Sequence, residues 1–471
     1  MPFISSAFAV FFLCFVCLYH LVARLNKHAL VLQRIVLLCA CLFFYAFADI
    51  RFLPFLAYVA AVSYLGGLFC KKNKVLFFTF LILDLLPLLF FKYVCTRWIF
   101  PLGISFFTFQ SISYIADVRK QKVQESKNPL DVALFISFFP VISSGPIQRP
   151  GFLIPRLNEI HHFDYELATD GLKLFAWGMF KKIIIADRIA LYVNYVYGNA
   201  ANSYGLALLF ATLLYSIQIY ADFSGYSDMA IGVAKYLGFN LEKNFDRPYF
   251  SKSVGEFWRR WHISLSSWLR DYIYIPLGGS RVALPRIYLN LVITFLVSGL
   301  WHGSTMVFVV WGLLHGFYQC VSRLTKSFWE KLRLPSFVHV VITFLLVSFA
   351  WIFFRSRDLH EALLIAKKVL LAPTEIGQFL GMMKADGVKN ALHVMFSMVA
   401  EAGGATKGMT KIFMFLAVLF VADFMTFRKD GLQLVKKQNV VLRWLGYVVI
   451  CSFILYNINT STNTDFLYFA F

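Results

Sequence analysis

The chain reads as an all-α polytopic membrane protein. Three observations predict this: 59% of its 471 residues are hydrophobic, only 15% are charged, and apolar runs long enough to cross a bilayer recur from end to end. A soluble globular domain carries about 25% charged residues. A hydrocarbon core takes about 20 apolar residues of helix. Runs of that order fall near 6–24, 29–48, 52–70, 75–92, 98–117, 170–196, 204–222, 286–301, 304–322, 337–355, 409–427 and 441–458, about eleven spans give or take two. Shorter apolar pieces lie at 131–145, 226–238 and 389–402. No polar stretch is long enough for a soluble domain and no internal repeat is visible, so residues 1–471 are expected to form a single integral membrane domain.

The flanks of the first run set an orientation. No basic segment precedes it and no small-residue cleavage site follows, so it reads as a span rather than a cleaved leader. MPFISS carries no basic side chain, whereas Arg24, Lys27 and His28 follow the run, and the positive-inside rule then puts the N-terminus outside the cytoplasm. KKNK at 71–74 and RKQK at 119–122 fall on the cytoplasmic side in that arrangement, with Asp49–Arg51 and Lys92–Arg97 in the lightly charged outer turns. The net charge of +20 reads as topology and attraction to anionic membrane lipids. Basic residues spread over loops, with no single stripe, argue against a nucleic-acid partner. Of eight cysteines, Cys14 and Cys17 have C-x-x-C spacing but lie inside the first span, where they read as small apolar residues; no metal cage or disulfide framework is legible.

Two regions depart from plain spanning helices. FFPVISSGPIQRP (138–150) sets Pro140, Gly145, Pro146 and Pro150 in or beside an apolar run too short to cross. Irregular backbone at membrane depth survives only when buried in protein or lining a wet cavity, so this segment is expected to be re-entrant. The second region, Tyr204 to His302, holds most of the polar residues misplaced for lipid. Within it, WRRWHISLSSWLRDYIY (258–274) read as one helix puts Trp258, Trp261, Leu265, Trp268 and Tyr272 on one stripe and Arg260, Ser264, Ser267 and Asp271 opposite. His262 falls roughly 80° from the centre of that stripe at the helical pitch. The same periodicity fits an ordinary surface helix with tryptophans at headgroup level.

Its neighbours point to a site. In YADFSGYSDMAIG (220–232), Asp222 ends a span and Asp228 follows beyond a Ser-Gly turn expected to be flexible; in SGLWHG (298–303), His302 ends a deeply apolar run between Gly299 and Gly303. Ionisable groups in such places are costly and mark a pathway or a site. A histidine whose tautomer a carboxylate can fix suits general-base work, because its ordinary pKa lies near working pH. His315, in WGLLHG, is the weakest of the three histidines, since a continuous helix would carry it well away from His302.

The set PLGISFFTFQSISYIADVRK (101–120), FFPVISSGPIQRP, YADFSGYSDMAIG, FWRRWHISLSSWLRDYIYIPLGGS (257–280) and SGLWHG through WGLLHG (298–316) resembles the membrane-bound O-acyltransferase family, nearest to its bacterial alginate O-acetyltransferase type. The likeness covers roughly residues 30–320, and the ending TDFLYFAF is also similar to the alginate type. It implies a helical ring with re-entrant and amphipathic helices around a central funnel. The implied activity is movement of an acyl group, acetyl first, from a cytoplasmic thioester to a hydroxyl of an extracytoplasmic polysaccharide. The family's invariant histidine matches His302 and the second histidine matches His262, so these are the expected catalytic pair, with Asp222, Asp228 and Trp301 in support. Arg259, Arg260 and Arg270 are expected either to meet a donor phosphate or to contact lipid headgroups. No tightly bound cofactor is implied; the donor is acetyl-CoA or the phosphopantetheine of an acyl carrier protein. A separate extracytoplasmic esterase-like partner is implied as well, in a bacterial cytoplasmic membrane. Two other readings stand: a D-alanyl transferase acting on teichoic acid with a carrier protein, and a non-enzymatic transporter using Asp84, Asp222 and Asp228.

Overall fold

The computed structural model describes residues 1–25, 28–95, 100–401, 405–426 and 431–458. The TDFLYFAF ending lies outside the described residues, as do Lys27 and Arg97. The described chain is helical nearly throughout and contains no strand, as an apolar chain must be when its backbone groups have no water to bond. In order run α1 (Ser6–Val22), α2 (Ala29–Asp49), α3 (Leu53–Phe69), α4 (Lys74–Leu89), α5 (Ile104–Arg119), α6 (Pro129–Ser137), α7 (Phe139–Ile142), α8 (Pro150–Leu157), α9 (Tyr165–Met179), α10 (Asp187–Gly198) and α11 (Gly205–Tyr236). There follow α12 (Val254–Arg260), α13 (Ile263–Leu269), α14 (Leu284–His302), α15 (Met306–Leu324), α16 (Lys326–Leu332), α17 (Ser336–Arg355), α18 (Leu359–Glu401), α19 (Ala405–Met425), α20 (Gly431–Lys436) and α21 (Val440–Ile458). Side chains start several of them: Ser5 accepts the Phe8 N–H at 3.1 Å, Asn73 the Val75 N–H at 2.9 Å, and Asn128 the Leu130 N–H at 3.0 Å.

Six helical stretches among the described residues are long and apolar enough to cross a membrane: Ala29–Phe69, Lys74–Val94, Gly205–Tyr236, Leu284–His302, Ser336–Arg355 and Val440–Asn457. The first of these contains two of the expected spans, α2 and α3, joined by a short 3-10 turn at Ile50–Phe52. Ser6–Val22 and Met414–Met425 are shorter apolar helices. The expected span at 98–117 is represented by α5, whose residues from Ile104 to Val118 are all buried in protein.

Packing divides the chain into two compact units. One comprises Met1–Ala176, Tyr226–Asn244 and His262–Pro276; the other comprises Trp177–Gly225, Phe245–Trp261 and the chain from Leu277 onward. In the first unit the irregular segment at 138–150 is enclosed, as expected. Phe138 leaves helical geometry (φ −52°, ψ 99°), and every residue from Phe138 to Gln148 is buried. Gly103 (φ +70°) sits so close that a Cβ would lie 2.0 Å from the Ile142 carbonyl oxygen, so only glycine fits where α5 starts against α7. Arg34 reaches in from α2 to pair with Asp131 and donates to Asn158 at 2.8 Å, tying α6 and α8 to that helix.

One expectation fails on α11. The Ser-Gly step at 224–225 is neither a turn nor a boundary between a span and a shorter apolar piece; a single 32-residue helix runs straight through it. Gly225 is there for close packing. A Cβ on it would stand 2.8 Å from the Gly178 carbonyl oxygen of α9, and two turns on, in the first unit, Gly232 and Gly171 meet in the same way, with Cβ-to-carbonyl distances of 2.5–2.6 Å. Helical propensity alone would make Gly225→Ala stabilising by about 0.5–1 kcal/mol. The close approach reverses the sign: Gly225→Ala should destabilise the detergent-solubilised protein by about 1–3 kcal/mol, as overpacking does, and lower its melting temperature.

Candidate active site

His302 is the last residue of α14 and belongs to the second unit. Its place is set by glycines. A Cβ on Gly299 would lie 2.2 Å from the Phe308 carbonyl oxygen, and one on Gly312 would lie 2.4 Å from the Phe295 carbonyl oxygen, so α14 and α15 touch backbone to backbone. The chain turns between them at Gly303, where a Cβ would strike the Phe308 ring at 2.0 Å. The tight hairpin leaves the His302 ring 4% exposed, set roughly edge-to-face against Trp301, Trp311 and Phe354 with centroids at 4.8, 5.0 and 5.1 Å. Because the helix ends at His302, His315 is not carried away as a continuous helix would require. It returns on α15 to the same tryptophan, 4.9 Å from Trp311. The Trp258 indole N–H donates to His315 Nδ1 at 3.2 Å, and since an indole only donates, His315 carries its proton on Nε2. His315 thus packs as a fully buried member of the aromatic cluster.

His262 belongs to the first unit. Here the helical-wheel reading is corrected: residues 258–274 are not one helix. α12 ends at Arg260, His262 adopts a left-handed conformation (φ 43°, ψ 55°), α13 starts at Ile263, and Arg270–Tyr274 widens into a π turn. The expected stripe is therefore divided, and Trp258 and Trp261 lie in the second unit. In the first, Trp268 stacks on Phe109 at 3.8 Å and donates to its carbonyl at 2.9 Å, while the Tyr272 hydroxyl donates to Asp117 at 2.8 Å. Trp258, Trp261 and Trp268 are all buried in protein rather than exposed on a surface helix. A left-handed backbone at a non-glycine residue is sparsely populated and costs energy that the surroundings must offset. Asn244 does this, for it accepts the Ile263 N–H on its backbone oxygen at 2.9 Å and the Ser264 N–H on Oδ1 at 3.2 Å. The His262 ring is 1% exposed, with Nδ1 3.2 Å from Asn244 Oδ1 and the Phe106 ring stacked at 6.3 Å. Burial pushes this imidazole down to about 3, so it is neutral, the form in which a ring nitrogen can take a proton.

The carboxylates go to different places. Asp222 pairs with Lys182 at 2.8 Å, and the same ammonium pairs with Asp187 at 2.9 Å, all three side chains being nearly inaccessible. Beside them Lys181 donates to Ser224 at 2.9 Å. Both lysines lie on a π-helical stretch, Phe180–Ala186, which widens α9 before α10. Asp228 is half-buried on the part of α11 that belongs to the first unit. Of the arginines, Arg260 pairs with Glu256 at 2.7 Å, Arg270 with Asp271 at 2.8 Å, and Arg259 is exposed near the end of α12. Sequence reasoning missed Lys182, Asp187 and Asn244. KK at 181–182 inside an apolar run was the available signal for the first two; a lone asparagine in a loop gives none. Lys182→Met should cost about 3–5 kcal/mol, because it strands two buried carboxylates. Adding Asp187→Asn and Asp222→Asn should recover most of that loss in thermal unfolding.

Residues 36–357 match the family described as MBOAT, membrane-bound O-acyltransferase family. The chain is 36% identical over 383 residues to a peptidoglycan O-acetyltransferase of Helicobacter pylori, covering 70% of this chain and 72% of that protein. It is 37% identical over 391 residues to the probable alginate O-acetylase AlgI of Pseudomonas aeruginosa, covering 77% and 73%. A teichoic acid D-alanyltransferase of Bacillus subtilis is 30% identical over 286 residues, covering 55% and 70%. His262 and His302 both lie inside the family match. The protein is a member of the membrane-bound O-acyltransferase family and is an O-acyltransferase.

Proposed function

We propose that this O-acyltransferase moves an acetyl group from a cytoplasmic thioester, acetyl-CoA or the phosphopantetheine of a carrier protein, to a hydroxyl of an extracytoplasmic polysaccharide. The transfer is direct or passes through a separate esterase-like protein. The observation that carries this reading is the His302 imidazole, buried at the end of α14 among Trp301, Trp311 and Phe354. A thioester carbonyl is already activated, so transfer needs a base and a site that excludes competing water. The acceptor hydroxyl oxygen attacks the carbonyl carbon while His302 takes its proton. The carbon–sulfur bond then breaks, and the leaving thiolate takes that proton from His302, which gives the free thiol and restores the base. The aromatic rings around His302 keep bulk water from the donor. His262 is the second group on the reaction path, where it orients donor or acceptor. Arg259, Arg260 and Arg270 contribute positive charge for the donor's phosphate.

The acetyl group is preferred over D-alanine because the two O-acetylating relatives match more of the chain at higher identity than the D-alanyltransferase does. The enzyme works in the cytoplasmic membrane with its N-terminus outside, a placement that rests on the basic loops after Val22, at 71–74 and at 119–122. His302→Ala should be expressed and insert as the parent does and lose at least about 100-fold in transfer, the range a general base contributes. Ester-linked acetate on the surface polymer, read by mass spectrometry, should vanish with it. Retained acetylation removes His302 as the base, and D-alanine esters in place of acetate overturn the choice of acyl group.

A further inference from the structure

The hydrogen bonds around Asn244 determine which nitrogen of His262 holds the proton. Asn244 is 1% exposed and lies on the loop after α11, eighteen residues before the histidine. An asparagine amide can in principle face either way, and its neighbours decide. The Ser264 backbone N–H, which can only donate, points at Asn244 Oδ1 from 3.2 Å, and the Ser264 hydroxyl donates to the same oxygen at 2.9 Å. On its other side the Asn244 amide nitrogen donates to the Ser227 hydroxyl at 3.2 Å. Turning the amide over would set its NH2 against a backbone N–H, donor against donor. Oδ1 is therefore the atom that faces His262 Nδ1 at 3.2 Å, and an amide oxygen only accepts. Nδ1 must then carry the hydrogen, which leaves the lone pair of the neutral ring on Nε2.

We propose that Asn244 is a positioning residue that locks His262 as its Nδ1–H tautomer, so that Nε2 acts as a hydrogen-bond acceptor for a hydroxyl-bearing substrate. This rests on the reading that His262 lies on the reaction path. The same asparagine caps the start of α13, where His262 itself gives no side-chain cap, and so holds the left-handed backbone that aims the ring. Tautomer and aim thus depend on one side chain. His315 makes the contrast within this protein: an indole donor gives it the opposite tautomer.

The test uses the full-length protein in lipid, labelled with 15N-histidine, with the His262 signals assigned by their loss in His262→Gln. The expected spectrum at neutral pH has Nδ1 protonated and Nε2 unprotonated. A protonated Nε2 overturns the proposal whatever the enzyme's activity. Asn244→Asp keeps an oxygen toward Nδ1 and the Ser264 N–H and should retain the tautomer and activity within several-fold. Asn244→Leu removes the acceptor, and should redistribute the tautomer and lower kcat by about 100-fold, as loss of a correctly protonated group does, with KM little changed. An Asn244→Leu protein that melts like the parent and keeps its kcat overturns the proposal. If that variant does not fold, the parent and Asn244→Asp spectra still decide it. Full activity in His262→Gln would instead overturn the role given to His262, and would leave the assignment of its tautomer standing.

Discussion

The backbone contact between α14 and α15 is the constraint on which the site depends. Gly299 lies under the Phe308 carbonyl and Gly312 under the Phe295 carbonyl, at separations that no other residue allows. With the two helices this close, the chain can end one at His302, turn at Gly303 and send His315 back along the other, so that both histidines reach Trp311, at 5.0 and 4.9 Å. Phe354, from α17, closes the group around His302. The aromatic surroundings of the proposed base are therefore a consequence of helix packing through small residues, the means by which apolar helices associate when the hydrophobic effect gives little drive.

The same problem, polar groups inside an apolar protein, is solved differently elsewhere. Lys182 is placed between Asp187 and Asp222, so that each buried charge has a partner. Arg34 is shared by Asp131 and Asn158. Desolvation offsets much of the attraction within such pairs, so each adds little net stability although removing one partner is costly. His262 is held by an amide and by a strained backbone instead of a charge. An amide partner sets the tautomer of a neutral imidazole without placing a second charge in the apolar interior.

The sequence made the apolar helices legible because hydropathy is a local property; it marked His302 as the end of an apolar run and His262 through the WRRWH stretch. It also pointed to the enclosed segment at 138–150 through its prolines. It misplaced the 258–274 stretch, since a helical wheel assumes helical backbone at every residue and nothing in WRRWH announces the left-handed turn at His262. It took Ser224-Gly225 for a flexible turn, because a glycine that loosens a chain and a glycine that lets two helices touch are spelled the same way. It expected Asp222 in a supporting role but did not foresee that Lys182, forty residues back in the sequence, pairs with that carboxylate. Asn244 left no trace, as its meaning lies wholly in contacts made after the chain has folded.

The central claim is that a thioester donor and an alcohol meet at the imidazole of His302. The most direct measurement is a cryo-electron microscopy structure of the protein in lipid with a non-transferable thioether analogue of the acyl donor. The account predicts the carbon that replaces the thioester carbonyl close to the His302 ring, leaving room for a hydroxyl oxygen about 3–3.5 Å from it, the spacing of a near-attack arrangement. An analogue bound elsewhere, with Trp301, Trp311 and Phe354 still sealing His302 from it, would contradict the account.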